Sequence, residues 1–590
     1  MKKIFNIILI LSCMSLLFSC ESIFDYNSDG RVNYDEVFSY YSMTGYAMNA
    51  CYNYRPLYTY KKAIYTDEAQ DANDVNGSSA LKYYQGEMSS IHNYLTGNDY
   101  NTLYEGIRKC NVFLKNEGKL DISDYDIPEN KSRWRGEAFL LRAYYAWELI
   151  KRYGPLPIMK NVIPQDFDFA SMQRPSFADA VQSIMDDIDS ALAEQGLKWR
   201  IIISSESGSV TRSMAYALKS EITLFAASPL WNPDNDISLW QIAARTNKEA
   251  IDSLEAHNYG LFNPDKYNYP GCISKYQDYF FTHPELSLNP PTNKEFIWGY
   301  NNIKGIWKNC GVPMKKADGV ISAGMCPSQE LVDAYCTTDG KPILDLSKPY
   351  LDDEHLQPNY NSSNSLYDPA NPYKNRDPRL SSTIYCNGDN FNLKKNNDPV
   401  WTYVGGNSEI STTSVQYTRT GYYLRKYINW TSNKNTDNDG CEERFRMSEV
   451  YLNYAEAELE ANGVTEEAIK YASKTRLRVG MPVFSDNLSV EEFRQELRNE
   501  RRVELAFEGH RFYDVRRWKV IDKTEGIVTG MYITQKPDNA NNSDSEGYTY
   551  KRIIVQKRNI TDSKYLIMPI PRTEELKFAK VGREWQNTGW

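Results

Sequence analysis

Apolar residues recur at helical spacing between residues 489 and 509. The run begins at Ser489, which is placed to form a capping box with Glu492, and it ends at Gly509. The apolar positions of this run are Phe493, Leu497, Val503, Ala506 and Phe507. This spacing predicts a helix of about five turns.

The polar side of the same stretch carries an unusual charge pattern. Four glutamates stand four residues apart: Glu496, Glu500, Glu504 and Glu508. Like charges at this spacing repel by a few tenths of a kcal/mol per pair, so the stripe needs cations beside it. Arginines flank and follow it: Arg494, Arg498, Arg501, Arg502, Arg511, Arg516 and Arg517. The stretch is either a solvated salt-bridge face or a scaffold helix that binds neighbouring elements through bidentate pairs, and the aromatic residues among the arginines favour the scaffold helix.

Much of the remaining chain has a helical pattern. Helices are predicted near residues 35–52, 100–116, 131–153, 176–193, 212–228, 239–257, 444–462 and 465–479. Small residues at helical spacing, such as Ala138, Ala143 and Ala146, suit close helix packing. No clean 34-residue repeat is visible.

Long segments without helical pattern separate these helices, at residues 54–99, 260–341 and 348–439. Loops of this length usually carry function or are disordered. The chain has 45 Tyr and 12 Trp, an aromatic excess that we expect mainly at exposed-loop positions. Aromatic faces beside polar side chains suit the recognition of sugars. The candidate ligand residues are Tyr83, Tyr84, Tyr94 and Trp307, although each could instead serve packing or protein contacts. Trp298 alternates like a strand residue and is predicted to be in the core, and the turn at residues 376–380 is predicted to be structural.

The amino terminus has the features of a secretory signal. Lys2 and Lys3 precede an apolar run that extends from Ile4 to Phe18. About 15 apolar residues are fewer than the roughly 20 that span a bilayer, which disfavours a transmembrane anchor. Leu17 to Cys20 resembles a lipobox, so residues 1–19 are predicted to be a lipoprotein signal peptide and Cys20 to be lipidated. Removing that peptide changes the net charge from −9 to −11, which makes nucleic acid an improbable partner.

A calcium-loop pattern follows the predicted lipid anchor. The segment DYNSDGRVNYDE fits D-x-N-x-D-G-x5-E. Its predicted ligands are Asp25, Asn27, Asp29, the carbonyl of Arg31 and Glu36. Only residues 20–24 precede the loop, so the incoming helix of an EF-hand is missing. The segment is therefore either a Ca²⁺ site or an ordinary tether, and no other cofactor is expected.

No motif for catalysis is present. The sequence has no HExxH, no GxSxG and no phosphate loop, and its five histidines are scattered. Eight cysteines remain after Cys20 without any CxxC pair, so their connectivity stays open. A glycosidase needs two carboxylates about 5 to 9.5 Å apart, which a linear sequence does not exclude. We expect a binding protein with no catalytic residues.

Several blocks resemble one family. LRNERRVELAFEGHRFYDVRRW, within residues 489–518, resembles the signature of SusD/RagB nutrient-binding outer-membrane lipoproteins of Bacteroidetes. Further similar blocks lie at Trp134 to Ile158, Met214 to Trp231, Arg446 to Gly463 and Tyr565 to Trp590. They span nearly the whole chain in order.

This resemblance implies a mainly α fold with few short strands, in which four helix pairs of the tetratricopeptide kind form a scaffold and long aromatic-rich loops hold the ligand. It also implies a surface-exposed, lipid-anchored outer-membrane protein that captures oligosaccharides and delivers them to a SusC-like, TonB-dependent transporter. Peptide capture, as in the RagB branch, and a secreted glycoside hydrolase are the alternatives.

The expected organisation has three parts: a signal peptide at 1–19, an anchor and tether at 20–36, and a SusD-like domain at 37–590. Within that domain the scaffold comprises 37–258 and 442–520, the ligand-loop insertions are 54–99 and 260–441, and the C-terminal segment is 521–590.

Overall fold

The computed structural model describes residues 33–590 apart from residues 58, 96–98, 121–127, 268–270, 282–293, 305–309, 314–321, 392–397, 429–438 and 538–546. Helices dominate and the strands are few and short, so the prediction of a mainly α fold is confirmed. None of the helices in this part of the chain is long and apolar enough to cross a membrane.

The helices are named here in chain order. They are α1 (Tyr34–Ser39), α2 (Tyr41–Cys51), α3 (Ser79–Tyr84), α4 (Asp99–Asn116), α5 (Pro128–Tyr153), α6 (Phe177–Ala193), α7 (Arg212–Ala227), α8 (Ile237–Ala256), α9 (Lys275–Phe281), α10 (Gln329–Ala334), α11 (Pro378–Thr383), α12 (Met447–Asn462), α13 (Glu466–Arg478), α14 (Val490–Glu504), α15 (His510–Arg517), α16 (Ile521–Thr524) and α17 (Arg572–Ala579).

The long helices pack on their neighbours in the chain and, at one point, across the sequence. Helix α5 packs between α4 and α6, while α8 packs on both α7 and the much later α12. Gly106 permits the close approach of α4 to α5, since a Cβ atom there would lie 2.7 Å from the ring of Tyr145. The buried small residues Ala138, Ala143 and Ala146 serve the same purpose on α5.

Two predicted helices differ from those observed. The helix expected at residues 35–52 is divided at Tyr40, which has an extended backbone (φ −113°, ψ 130°). The helix expected to run to Gly509 ends at Glu504, because Phe507 adopts a left-handed φ of 62°. A short turn then leads into α15, so the aromatic residues after Gly509 belong to a separate helix.

The described strands form four two-stranded antiparallel sheets. The strands are β1 (Ala69–Asp71), β2 (Phe296–Lys304), β3 (Met325–Pro327), β4 (Ile384–Tyr385), β5 (Tyr423–Leu424), β6 (Asp439–Arg446), β7 (Ile527–Gln535) and β8 (Tyr548–Lys557). The pairs are β1 with β3, β2 with β6, β4 with β5, and β7 with β8. Trp298 on β2 is 2% exposed, which confirms its predicted place in the core.

Three of the four glutamates of the stripe, Glu500, Glu504 and Glu508, are buried, and their partners come from other elements. Glu504 accepts hydrogen bonds from Arg446 at 2.8 Å and Arg379 at 3.0 Å, and also from Arg478. Glu500 pairs with Arg379 and Arg476. The carboxylate of Glu508 accepts hydrogen bonds from Nε of Arg446 and Nζ of Lys426, each at 2.7 Å. The interpretation of this stretch as a scaffold helix is therefore confirmed, and we call this set of buried ion pairs the Glu/Arg lattice.

Side chains from the last part of the chain bind the segment around β1, and we call these contacts the clasp. The carboxylate of Asp67 accepts hydrogen bonds from Nε and Nη2 of Arg511, both at 2.8 Å. Its Oδ2 also lies 2.9 Å from Nη2 of Arg502. Arg558 donates to the carbonyls of Thr66 and Ala69 at 2.7 and 2.8 Å. The segment around β1 is therefore held by side chains more than 400 residues later in the chain.

Many of the tyrosines are buried, which corrects the expectation that they are mainly an exposed-loop feature. Their rings fill the core, and several of their hydroxyls have internal partners. Tyr144 and Tyr300 share a hydrogen bond of 2.8 Å between their hydroxyls, and Tyr145 donates to the carbonyl of Cys51 at 2.6 Å. A tyrosine can be buried in this way because its polar end is satisfied.

Candidate functional site

Tyr83 and Tyr84 do not reach the surface, and their assignment as ligand residues is wrong for this structure. Both side chains are 0% exposed. Tyr84 donates its hydroxyl to the carbonyl of Ile64 at 2.8 Å, and the hydroxyl of Tyr83 accepts from Arg516 at 2.9 Å. The ring of Tyr83 also packs edge-on against Tyr565. Helix α3 turns these two rings inward, so a sugar cannot stack on them.

Tyr94 lies at the surface of the same loop and remains a candidate. Its half-buried ring is parallel to the exposed ring of His92, with centroids 6.0 Å apart. The ammonium of Lys82 lies 5.4 Å from the centre of the Tyr94 ring, and Ile91 beside it is 69% exposed. Tyr65 donates to the carbonyl of Tyr94 at 3.0 Å and fixes the backbone. We call Lys82, Ile91, His92 and Tyr94 the first-loop patch.

The remaining predicted site residues lie mostly outside the part of the chain that the structure describes. These are Cys20, Asp25, Asn27, Asp29, Arg31 and Trp307. Glu36 is described, and its carboxylate accepts the backbone N–H of Asn33 at 2.9 Å in a capping box that begins α1. The calcium loop therefore stays a prediction, and its proposed closing residue already has a structural role.

A large cavity that the sequence analysis did not predict lies beside α14. Its volume is about 720 Å³, and its walls are α10, α14, the loop at 344–355 and the segment 518–527. We call it the α14 cavity. Its polar walls come from residues far apart in the sequence, which is why no local motif reveals it.

The cationic floor of the α14 cavity is built around Asp67. Burial would raise the pKa of Asp67, but Arg502 and Arg511 outweigh it and hold the pKa at about 2. Arg498 stands one helical turn before Arg502 and also lines the cavity. The floor thus contains three guanidinium groups and one carboxylate.

The opposite wall of the cavity is already satisfied internally. Asp333 binds both terminal nitrogens of Arg552 at 2.7 Å and accepts the hydroxyl of Tyr350 at 2.9 Å. The ring of Tyr350 stacks on His355, with centroids 4.1 Å apart. The carboxylate of Glu330 accepts the backbone N–H and the hydroxyl of Thr529. This wall is therefore rigid and has few uncommitted charges.

The described residues contain no group of three or more His, Cys, Asp or Glu side chains placed to hold a metal ion. Seven cysteines are free and buried: Cys51, Cys110, Cys272, Cys310, Cys326, Cys336 and Cys386. Burial raises the pKa of the Cys326 and Cys336 thiols to about 12, so these two are unreactive structural thiols.

The chain matches two protein-family models. Residues 294–590 match the model described as the SusD family. Residues 27–224 match a model described as starch-binding and associating with the outer membrane. A search of curated proteins gave no match.

Solved structures share the fold. The chain is 24% identical to a SusD-like protein of Bacteroides fragilis, with a TM-score of 0.72 and with 94% of this chain and 98% of that chain covered. A SusD-like carbohydrate-binding protein of Bacteroides fragilis is 23% identical, with a TM-score of 0.67 and coverage of 92% and 98%. Surface glycan-binding protein A from Bacteroides uniformis is 17% identical, with a TM-score of 0.58 and coverage of 92% and 99%.

Proposed function

Because this chain belongs to the SusD family, we propose that it captures oligosaccharides at the surface of the outer membrane and delivers them to a SusC-like, TonB-dependent transporter. Lipidation of Cys20 would anchor it there, and chemistry on the sugar is not part of the role. The observation that carries the proposal is the pair of family matches, which together include most of the chain and name starch binding and the outer membrane.

The first-loop patch is the part of the described surface that best suits a sugar. The ring of Tyr94 offers an apolar face, and Lys82 and His92 supply donors beside it. Rings of this kind stack on the apolar faces of pyranoses while neighbouring polar groups satisfy the hydroxyls. Trp307, in the second predicted ligand loop, is the proposed partner of this patch in holding the ligand.

Calorimetric titration of residues 21–590 against plant, fungal and host oligosaccharides, with mixed peptides as a further arm, tests the proposal. One glycan class should bind without product formation. Tyr94→Ala and Trp307→Ala should each weaken that binding by about fivefold or more, because each removes a stacking anchor worth about 1 to 3 kcal/mol. Tyr46→Ala is the matched control, since Tyr46 is 73% exposed on α2 and lies outside both loops.

Binding heat in the peptide titrations, with none in the glycan titrations, would contradict the proposal and favour peptide capture. Release of shorter sugars during the titration would instead identify a hydrolase. If the two loop variants bound as tightly as the Tyr46→Ala control, these aromatic residues would be removed from the site.

A further inference from the structure

Arg498 differs from the other arginines of α14. Three of the four have a carboxylate partner: Arg494 pairs with Glu460 at 2.7 Å, Arg501 with Asp514 at 2.7 Å, and Arg502 with Asp67 at 2.9 Å. Within the described ranges of the chain, the guanidinium of Arg498 makes neither a hydrogen bond nor an ion pair, and its Nε is buried without an acceptor. The side chain is half-buried, and a cation that is partly removed from water without a counter-ion carries a desolvation cost.

The position of Arg498 is fixed by stacking. Its guanidinium carbon lies 4.7 Å from the centre of the Trp518 ring. Trp518 is itself held, because its indole N–H donates to Glu456 at 2.7 Å. Both oxygens of Glu456 are also taken by Arg517, at 2.5 and 2.6 Å. The carboxylate of Glu456 is therefore committed to Arg517 and Trp518, while Arg498 stacks on Trp518 at the wall of the α14 cavity.

The cations of the cavity floor differ in their partners. Arg502 and Arg511 share the buried carboxylate of Asp67, whereas Arg498 makes no ion pair with any described carboxylate that lines the cavity. Arg552 and Thr529 occupy the carboxylates of the opposite wall. Glu491, Asp353 and Asp522 also line the cavity, and because they are exposed, solvent and salt screen their charges. Arg498 is therefore the point in the cavity at which an anionic group of a ligand can bind.

We propose that the α14 cavity is a second ligand site, which takes a carboxylate-bearing sugar and holds its carboxylate against Arg498. A guanidinium presents two parallel N–H donors that match a carboxylate, and stacking on an aromatic ring orders them in advance. The volume of about 720 Å³ is within the range of small-ligand sites. The choice of a sugar rests on the proposed function, whereas the preference for an anion rests on the unpaired guanidinium of Arg498.

The experiment is calorimetric titration of residues 21–590 with trigalacturonate and with galactotriose, its neutral counterpart. Arg498→Gln should weaken trigalacturonate binding by about ten- to a hundredfold, which corresponds to the loss of a charge-assisted hydrogen bond. Galactotriose binding should be unchanged. Arg494→Gln is the matched control, because it removes the same charge one turn away on α14 from a residue that does not line the cavity. It should bind trigalacturonate as the unmodified chain does.

The effect of Arg498→Lys separates recognition from folding, since it retains the charge without the two-pronged geometry. We expect an intermediate loss with an unchanged melting temperature. Trigalacturonate that binds no better than galactotriose, or equally well to the Arg498→Gln and Arg494→Gln variants, would overturn the inference. Binding of a sulfated disaccharide in place of trigalacturonate would also overturn the carboxylate assignment. The proposed function would survive each of these results, provided that Tyr94→Ala still lowered neutral-glycan affinity.

Discussion

Replacing Glu504 with Gln tests the Glu/Arg lattice most directly. Glu504 is 0% exposed and accepts from Arg379, Arg446 and Arg478. Glutamine keeps the shape of the side chain, so no cavity is created. It removes the negative charge and, in either orientation of the amide, directs a donor NH₂ group at one of these arginines.

The magnitude follows from what the three arginines retain. Breaking a buried ion pair by removing one partner costs about 3 to 5 kcal/mol. Here the loss is moderated, because Arg379 still binds Asp377 and Glu500, and Arg446 and Arg478 both still bind Glu295. We therefore expect the lower end of that range, a destabilisation of about 3 kcal/mol.

The assay is urea unfolding of residues 21–590 followed by circular dichroism, with the midpoint compared between variants. Glu491→Gln is the control on the same helix. Glu491 is 63% exposed and pairs with Arg494, and such surface pairs contribute no more than about 1 kcal/mol. If Glu504→Gln shifted the midpoint no more than Glu491→Gln did, the lattice would contribute little to stability and the reasoning would fail.

Two further predictions concern protons and calcium. Burial raises the pKa of Glu68 to about 8, and neither of its carboxyl oxygens has a hydrogen-bond partner among the residues that the structure describes. Because the pKa of Glu68 in the unfolded chain is near 4.3, its contribution to stability falls as the pH rises from about 4 to 8. Glu68→Gln should therefore raise the melting temperature relative to the unmodified chain more at pH 8 than at pH 5, and an equal difference at both would contradict this. Calcium titration of residues 21–590 should show one ion bound with a dissociation constant of about 10⁻⁴ to 10⁻³ M, and Asp25→Ala should abolish that binding. The absence of binding heat would identify the segment at residues 25–36 as an ordinary tether.

The sequence predicted the lattice because a stripe of glutamates four residues apart on an otherwise amphipathic helix requires nearby cations. It did not predict which cations they are. Arg379 and Arg446 lie 125 and 58 residues before Glu504, and such pairs depend on tertiary packing that local spacing does not encode. Trp298 was predictable as core because strand alternation has a definite period.

The burial of Tyr83 and Tyr84 and the presence of the α14 cavity could not be predicted from the sequence. Inside a long loop, no periodicity distinguishes an inward ring from an outward one, so composition alone suggested a surface role for rings that are buried. The α14 cavity is formed by segments from residues 67 to 527, and its unpaired cation is recognisable only when the partners of the other arginines are known. Its sequence signal was limited to the excess of arginine on α14.

The clasp between β1 and the last part of the chain bears on how the molecule is made. Asp67, Thr66 and Ala69 are buried polar or backbone groups whose partners, Arg511 and Arg558, are synthesised about 440 to 490 residues later. Until then the Asp67 carboxylate and the carbonyls of Thr66 and Ala69 lack these arginine partners, and contacts of such long range are slow to form. In a chain that stopped before residue 500, this segment would stay accessible to proteases. We therefore expect incomplete chains to be degraded faster than intact ones, whether or not ligand is present.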